Sequence, residues 1–567
     1  MNDIIWLTMR RMRAPLIVVV LVFSVSIIGM VLIPGRDASG NVIEVKYLDA
    51  AYFILILATT IGLGEIPAAF TGLQRFYVFI IVLPNVVAWL YSVGTILGMF
   101  LDPQFRQVLK RERFSHRVRA MPQGFFIVCG FGNTGRMIVH ALLRRGYSTV
   151  VLERDEDIVN SMALDDAIAH VPVLAGSSSE RETLELAGLK HKHCLGVLAI
   201  TDDDHVNLTI AITCKMLNPD LLVIARSEND RVSANMASFG TDHVLDPYAI
   251  FAERLYLAFS SPAKYLVQDW LISVPGSELR KPFHLPHGQW LLCGFGRFGS
   301  RVARAMDQAS IPYTIIDVHP ARVQGKPGAV LGRGTEVESL LAAGINDAAG
   351  IVAGTGDDID NLSIMMTARD LNPRLCFIAR QERVQNEELF NESRADLVAR
   401  RSLIMARRIL LVATTPLLQS FLQHLLGQGD AFAQRVTARL QAVLKGRAPD
   451  VWTVLLEGRM STGLVEASRQ GVHPALAHIL RHSRTAEAEH LPCVCLLLER
   501  GASRTFMPDP MQELHVEDRL LFAGRDEARR EIAWTLSEPH ALLANASGRI
   551  VPRGTLWRWL ERRHQPD

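Results

Sequence analysis

Hydrophobic and polar positions divide the chain into a short apolar part followed by a long mixed part. Residues 14–34 form a run of 21 residues without a charge, and residues 76–101 form a run of 26. A helix needs about 20 apolar residues to cross a hydrocarbon core about 30 Å thick, so we predict that both runs span a membrane. Residues 47–58 are also apolar but too few to span, and they predict a short helix between the two spans.

The segment between this short helix and the second span carries two glycines separated by one residue. Glycine adopts backbone dihedrals that other residues avoid, so such a segment can turn carbonyl oxygens toward one axis and replace the water shell of an ion. Its sequence, TIGLG, resembles the TVGYG selectivity filter of potassium channels. The resemblance implies an ion-channel pore domain over 14–101, with the pore helix and filter in 47–66 and K⁺ as the permeant ion. The implied filter residues are Thr60, Ile61, Gly62, Leu63 and Gly64.

Two departures from the filter pattern leave the ion selectivity open. Leu63 replaces the usual aromatic residue, and Glu65 replaces the usual aspartate. A cation channel of the same architecture with weak discrimination between K⁺ and Na⁺ is therefore the alternative. The second span carries Pro84, which falls where related ligand-gated channels often have a hinge glycine, and Gly94 lies further along. Both are candidate gating hinges, and Pro84 also lacks an intrahelical hydrogen bond.

Basic residues precede the first span and follow the second span. Arg10, Arg11 and Arg13 precede the first span, and the 102–122 linker after the second span is basic, whereas the intervening loop is charge-poor. The positive-inside rule therefore predicts a multi-pass protein of the cell membrane with both termini cytoplasmic, including residues 1–13. Because about 120 residues are too few to enclose a pore, we expect four copies to assemble in the lipid bilayer as a homotetramer.

The mixed part begins with a pattern typical of dinucleotide-binding domains. A buried-strand run, 125–129, leads into Gly-x-Gly-x-x-Gly and a helical pattern, and the next strand ends at an acid. The glycines let a phosphate approach a helix N-terminus closely, and the acid can accept hydrogen bonds from ribose hydroxyls. The candidate cofactor-binding residues are Gly130, Gly132, Asn133, Thr134, Gly135, Glu153 and Arg154.

The same pattern occurs a second time. The glycine motif and its acid recur 164 residues later, and the motifs around Asn207 and Arg226 recur 154 residues later around Asn361 and Arg380. Such an internal repeat predicts two Rossmann-like, doubly wound α/β domains behind the membrane α-helical pore domain. The second set of candidate cofactor-binding residues is Gly294, Gly296, Arg297, Phe298, Gly299 and Asp317.

Taken together, the filter and the two repeats resemble the tandem RCK (regulator of potassium conductance) channels. The resemblance implies NAD(H) or another adenine nucleotide as the gating ligand, and Arg297 matches an arginine that reaches a nucleotide phosphate in related domains. It also implies helices that join neighbouring domains and a small C-terminal α+β lobe. The predicted domains are a first RCK domain over 123–289, a second RCK N-lobe with crossover helices over 290–445, a C-lobe over 446–535 and a tail over 536–567.

Composition narrows the remaining chemistry. A net charge of +2 gives no sign of a nucleic-acid partner. The seven cysteines are scattered along the sequence, which predicts reduced thiols in a cytosolic part of the protein and assigns no metal site. The acidic runs 202–204 and 357–360 each follow a strand and a threonine at the start of a helical pattern. We therefore expect the threonine to cap the free backbone amides and the acids to complement the helix dipole, in preference to binding Ca²⁺, which needs six or more oxygen ligands. Calcium stays an open alternative. The aromatic, basic tail segment 556–560 fits packing better than membrane-surface contact.

Two other classes of function explain the sequence less well. A membrane-tethered, NAD-dependent enzyme would need a substrate domain with an acid and a base beside a glycine motif, and the sequence offers none. An NAD-binding protein without conduction, or a regulatory subunit of a separate transporter, would leave the filter unexplained. We therefore expect a ligand-gated potassium channel and not an enzyme.

Overall fold

The structure is a computed structural model that describes residues 2–36, 42–62, 64–65, 69–279, 284–457, 461–482 and 490–547. The predicted filter residue Leu63 and the tail segment 556–560 lie outside these described residues. The chain folds as two compact units. One unit holds residues 1–122 with the short pieces 172–174 and 185–188, and the other holds the remainder.

The first unit is built from helices and one small antiparallel strand pair. Two of its helices are long and apolar enough to cross a membrane, over Met12–Leu32 and Gly72–Met99. The second begins four residues before the predicted span because Thr71 and Gln74 form a reciprocal capping box at its start. The elements are α1 (Asn2–Leu32), β1 (Gly35–Arg36), β2 (Val42–Ile43), α2 (Tyr47–Ala58), α3 (Gly72–Leu101) and α4 (Pro103–Arg119).

Close packing of α1 against α3 depends on one glycine and two polar contacts. A Cβ atom at Gly29 would lie 2.0 Å from the Tyr77 hydroxyl oxygen, so only glycine leaves room for this ring. The Tyr77 hydroxyl donates to the carbonyl of Val25 at 3.1 Å. Further along, the buried Asn85 donates from Nδ2 to Ser26 Oγ at 2.7 Å. Small residues and interhelical hydrogen bonds of this kind hold helices together in membranes.

In the second unit, the first repeat forms a six-stranded sheet in the order β5-β4-β3-β6-β7-β8, and β3 pairs in parallel with β4 and β6. Two further helices follow this sheet. The elements are β3 (Phe125–Cys129), α5 (Asn133–Arg144), β4 (Ser148–Glu153), α6 (Glu156–Met162), β5 (Val173–Ala175), α7 (Arg181–Leu186), β6 (Cys194–Ala199), α8 (Asp204–Leu217), β7 (Leu222–Arg226), α9 (Asp230–Ser238), β8 (His243–Leu245), α10 (Pro247–Ser260) and α11 (Pro262–Ile272).

The second repeat has the same strand order, β11-β10-β9-β12-β13-β14, and is followed by three helices. The elements are β9 (Trp290–Cys293), α12 (Arg297–Gln308), β10 (Tyr313–Asp317), α13 (Pro320–Val323), β11 (Val330–Leu331), α14 (Val337–Ala342), β12 (Gly350–Ala353), α15 (Asp358–Leu371), β13 (Cys376–Gln381), α16 (Glu387–Glu392), β14 (Leu397–Arg400), α17 (Arg401–Thr414), α18 (Pro416–Gly427) and α19 (Asp430–Leu444).

The two repeats pack crosswise. Helix α10, at the end of the first repeat, packs on α12 of the second, and α17, at the end of the second repeat, packs on α5 of the first. Tyr248 and Phe251 of α10 lie with their ring centroids 5.7 and 5.4 Å from that of Phe298. The crossing helices therefore bring residues of each repeat to the glycine motif of the other.

The last part of the chain is a small lobe with a four-stranded antiparallel sheet in the order β15-β18-β16-β17. The fully buried Asp518 accepts two hydrogen bonds of 2.7 Å from Arg500 and one of 2.8 Å from the His515 backbone, which secures the turn before β18. The predicted fold class is confirmed. The elements are β15 (Asp450–Leu455), α20 (Thr462–Arg469), α21 (Leu476–Ile479), β16 (Cys493–Arg500), β17 (Ser503–Phe506), β18 (Arg519–Gly524), α22 (Asp526–Ser537) and α23 (Pro539–Ser547).

Candidate functional site

The predicted filter segment leaves the C-terminal end of α2 as a tight turn. The Ile61 N–H donates to the Ile56 carbonyl at 3.1 Å, which ties the segment to the end of the helix. Thr60, Gly62 and Gly64 have φ angles of 60°, 67° and 97°. For a β-branched residue such as Thr60, this left-handed conformation costs about 1–3 kcal/mol, and such strain concentrates at functional sites.

A charged clamp follows the filter segment. The Glu65 carboxylate accepts from Arg75 Nε at 2.8 Å and Nη2 at 3.2 Å, and from the Phe70 N–H at 2.7 Å. Arg75 belongs to the first turn of α3, so the clamp joins the end of the filter segment to the start of the second span. Glu65, which stands where the filter pattern usually has an aspartate, is therefore paired with Arg75 in this chain.

The two predicted hinge residues differ in their surroundings. Pro84 lies inside α3, which continues through it, and its neighbour Asn85 is bonded to Ser26 of α1. Asn85 Nδ2 also donates to the Ile81 carbonyl at 2.7 Å. A Cβ atom at Gly94 would meet nothing within 4 Å. Pro84 therefore lies next to a hydrogen bond between the two helices, whereas Gly94 is a loosely packed position on the same helix.

A large cleft lies at the carboxyl ends of the strands in the first repeat. Its volume is about 830 Å³, and it is lined by all seven of the predicted cofactor-binding residues of this repeat. Ligands of doubly wound folds bind at this edge of the sheet, at the point where the strand order reverses. The predicted residues that the cleft brings together are Gly130, Gly132, Asn133, Thr134, Gly135, Glu153 and Arg154.

The three glycines of the first motif serve different geometric needs. Gly130 has a φ of 100°, which the turn after β3 requires. A Cβ atom at Gly132 would point into open space, where a phosphate can approach the backbone. A Cβ atom at Gly135 would lie 2.2 Å from the Gly130 carbonyl oxygen, so α5 reaches the strand only because the residue is glycine. In the second motif, Gly294 likewise has a positive φ, and Gly299 likewise lets the helix approach the strand closely.

The acid at the end of the second strand is held by backbone N–H groups in both repeats. Glu153 accepts from Phe131 at 2.5 Å and from Arg154 at 2.7 Å. Asp317 accepts from Phe295 at 2.6 Å and from His319 at 2.8 Å. Burial opposes the ionisation of Asp317, but these two N–H groups and the nearby Arg322 outweigh it and hold the pKa of Asp317 below its ordinary value.

Four charged side chains from both repeats meet at the far side of the first cleft. Glu228, only 6% exposed, contacts Arg226, Arg297 Nη1 at 3.0 Å and Arg401 Nη1 at 3.4 Å. Burial alone would raise the pKa of Glu228, but the three arginines outweigh it and hold the pKa below its ordinary value. Among the described residues, the buried Arg226 Nε has no hydrogen-bond acceptor. Arg297 is the most exposed of the three arginines, so its guanidinium is the one most available to an anionic ligand in the cleft.

Three residues predicted for the second repeat, Arg297, Phe298 and Gly299, do not line its cleft. Arg297 lines the first cleft, where α12 brings it to Glu228, and it does not line the second cleft. The Phe298 side chain is fully buried in the core between the repeats. The second cleft has a volume of about 340 Å³ and is lined by Gly294, Gly296 and Asp317 of the predicted set.

The acidic runs cap helices and hold loops. Asp203 accepts from the N–H groups of two residues at the start of α8, and Asp357 does the same for α15. The capping side chain is therefore aspartate and not the preceding threonine, which sequence analysis had named: the Thr201 hydroxyl instead donates to Asn207 Oδ1 at 2.7 Å. Asp204 accepts from the Glu228 N–H at 3.0 Å. Among the described residues, no group of three or more acids, histidines or cysteines could hold a metal ion.

Several residues that line the first cleft are not among the cofactor-binding residues predicted from the sequence. Arg226 had a signal, because it ends a motif that recurs in the second repeat, but the repeat was used only to recognise the duplication. Arg401 and Ser402 lie at the start of α17, which the crosswise packing brings over the first cleft. No local pattern around these two residues indicates a ligand site.

Comparison with known proteins adds to this geometry. The TrkA-N domain family matches residues 126–247 and 290–400. Potassium channel protein 1 of Methanocaldococcus jannaschii is 23% identical over 247 residues, or 43% of this chain and 68% of the relative. Probable potassium channel protein 2 of the same organism is 24% identical over 219 residues, or 38% of this chain and 62% of the relative.

A solved structure, the GsuK channel, has the same fold. It aligns with a TM-score of 0.50 at 16% identity, and the alignment covers 94% of this chain and 99% of that one. The fold, the two spanning helices, the two domain matches and the names of the relatives are all consistent with a potassium channel that carries TrkA-N domains. We conclude that both repeats are TrkA-N domains, in a chain that has two helices able to span a membrane and that is similar to potassium channel proteins.

Proposed function

We propose that this protein is a channel that conducts K⁺ and is gated by an adenine nucleotide bound to its cytoplasmic domains. The observation that carries conduction is the filter segment, which lies between a short apolar helix and a span and has left-handed residues at Thr60, Gly62 and Gly64. A left-handed residue at every second position turns successive carbonyls toward one side, where they can replace the hydration shell of K⁺. Thr60, Ile61, Gly62, Leu63 and Gly64 are the proposed filter residues.

The test of conduction is a reversal potential in planar bilayers with opposed K⁺ and Na⁺ gradients. We expect a value close to the K⁺ equilibrium potential, because stacked carbonyls favour K⁺. A reversal potential near zero would support the alternative, a pore of the same architecture with weak selectivity. Absence of current from tetrameric protein would instead favour an NAD-binding membrane protein without conduction.

Four copies around one axis are required for such a filter, so we propose a homotetramer in the cell membrane. The predicted filter residues Thr60, Ile61, Gly62 and Gly64 are exposed in a single chain, which fits a surface that other copies complete. Basic residues of α4, directly after the second span, support a cytoplasmic location of the second unit by the positive-inside rule. Both termini would then be cytoplasmic.

The first cleft supports a nucleotide as the gating ligand. Its glycines leave backbone open at Gly132, its acid Glu153 can accept from ribose hydroxyls, and the exposed Arg297 guanidinium offers donors to a phosphate. Arg297 enters this cleft from the second repeat, so a bound pyrophosphate would contact both repeats. Nothing in this arrangement assigns Ca²⁺ a place.

We expect Glu153→Gln to weaken NAD binding about tenfold or more, because a hydrogen bond to a charged group contributes roughly 1.5–3 kcal/mol. NADP should lose less affinity than NAD, because the substitution removes the negative charge that repels a 2′-phosphate. Calorimetry on the detergent-solubilised full chain measures both ligands.

The matched control for this prediction is Glu156→Gln, which removes an exposed carboxylate on α6 that does not line the cleft. This variant should bind NAD as the parent does. If wild-type protein binds NADP more tightly than NAD, the assignment of Glu153 to the ribose is wrong.

A further inference from the structure

The two clefts occupy equivalent places in the two repeats but differ in size. The second cleft, at about 340 Å³, has less than half the volume of the first, at about 830 Å³. Both clefts include the glycine turn and the acid that ends the second strand. Part of the difference lies on the other side of the strand-order reversal, where the second half of a dinucleotide would bind.

On that side, the first cleft is lined by Arg226, Glu228, Asn229 and Val232, together with Ser402 from α17. The second cleft has only Arg380, the counterpart of Arg226, from the corresponding positions. The 154-residue offset of the repeat pairs Glu228 with Glu382 and Ser402 with Tyr248. The crossing helices place these last two residues reciprocally, each at the cleft of the other repeat.

Tyr248 fills the space that Ser402 leaves open. Its side chain is only 3% exposed, and the Arg380 guanidinium lies 4.8 Å from its ring centroid. Its hydroxyl accepts from Arg380 Nη2 at 2.7 Å and donates to Glu382 Oε1 at 3.2 Å. Arg380 Nε donates to the same carboxylate at 2.6 Å. The arginine of the second cleft is therefore held by protein partners.

The arginine of the first cleft is not held in this way. Arg226 contacts Glu228, but its Nε has no acceptor among the described residues, and Ser402 is too short to take the place of the tyrosine hydroxyl. The first cleft also receives Arg297, whereas the equivalent position of the first repeat is the shorter, uncharged Asn133. The far half of the first cleft is thus open and has donors for phosphate.

We propose that the first cleft takes a dinucleotide, whereas the second takes a single adenine mononucleotide because Tyr248 occupies its far half. This rests on the proposed nucleotide-binding function. In the second cleft, a 5′-phosphate at the Gly294–Gly296 turn would share the cleft with Arg322 and Arg333, whose charges favour an anion there. The ligand class of each cleft is thereby set by a residue of the opposite repeat, Ser402 for the first and Tyr248 for the second.

The experiment is calorimetry on the detergent-solubilised full chain with NAD and, separately, AMP. We expect wild-type protein to bind one NAD and two AMP per chain. Tyr248→Ser should raise the NAD stoichiometry to two. The reciprocal Ser402→Tyr should abolish NAD binding and leave two AMP per chain, and it keeps the test decisive if Tyr248→Ser destabilises the buried interface.

Ser238→Tyr is the matched control, since it adds the same ring at an exposed position of α9 outside both clefts. It should leave one NAD per chain. Two NAD per chain in wild-type protein, or unchanged NAD binding in folded Ser402→Tyr, would overturn this inference alone. Failure of both NAD and AMP to bind anywhere would overturn the proposed nucleotide function as well.

Discussion

Replacement of Gly62 by alanine is expected to abolish K⁺ current while the tetramer still assembles. Gly62 has a φ of 67°, and a side chain there would meet no neighbouring atom, so the effect is one of backbone conformation and not of a clash. An alanine in this conformation costs about 1–2 kcal/mol. In the proposed tetramer four filter segments share one pore, so the total is about 4–8 kcal/mol, which corresponds to a loss of the conducting arrangement by about a thousandfold or more.

The measurement is K⁺ flux into proteoliposomes, with size-exclusion chromatography to check assembly. Gly72→Ala is the matched control, because Gly72 begins α3 with no positive φ and a Cβ atom there would meet nothing within 4 Å. That variant should conduct as the parent does. Normal flux through Gly62→Ala would show that this segment does not form the ion path.

Insertion of a flexible Gly/Ser segment of about a dozen residues after Pro122 is expected to remove the effect of nucleotide on open probability. The predicted 102–122 linker is largely a helix, α4 over Pro103–Arg119, and it follows α3 after a single residue. We propose that such a strut transmits displacement of the second unit to the second span, where Pro84 and Gly94 are the proposed bending points. A flexible insert absorbs that displacement.

The energy that this coupling requires is modest. Moving a gate from 1:99 to 99:1 takes about 5.5 kcal/mol of differential binding. Eight clefts in a tetramer would each supply roughly 0.7 kcal/mol, which is a small difference in affinity between two cleft shapes. A nucleotide that binds both shapes equally would not move the gate.

Single-channel recording with and without NAD tests the linker. Phe114 is buried inside α4, so an insertion there would break the helix, whereas Pro122 and Gln123 are exposed. The same segment inserted after the exposed Gly471 is the control and should leave the response intact. If the insertion after Pro122 responds to NAD as strongly as the parent, strain in the linker is not the gating mechanism.

The sequence alone determined the order and type of the elements. Uncharged runs set the two spans, because the thickness of a bilayer fixes the length of apolar helix that crosses it. The helix at Tyr47–Ala58 has the predicted bounds, and the duplicated glycine motif predicted two parallel sheets with the same strand order. These features depend on local composition, periodicity and repetition, all of which are visible within a short window of sequence.

Only the tertiary structure decided which residues line each cleft. Arg297 was assigned to its own repeat because the motif places it at the N-terminus of α12, but the crosswise packing of the repeats turns it toward Glu228 of the other. The same packing buries Phe298 and sets Tyr248 and Ser402 at opposite clefts. Contacts between residues of different repeats depend on how two folded sheets meet, and no local pattern encodes that arrangement.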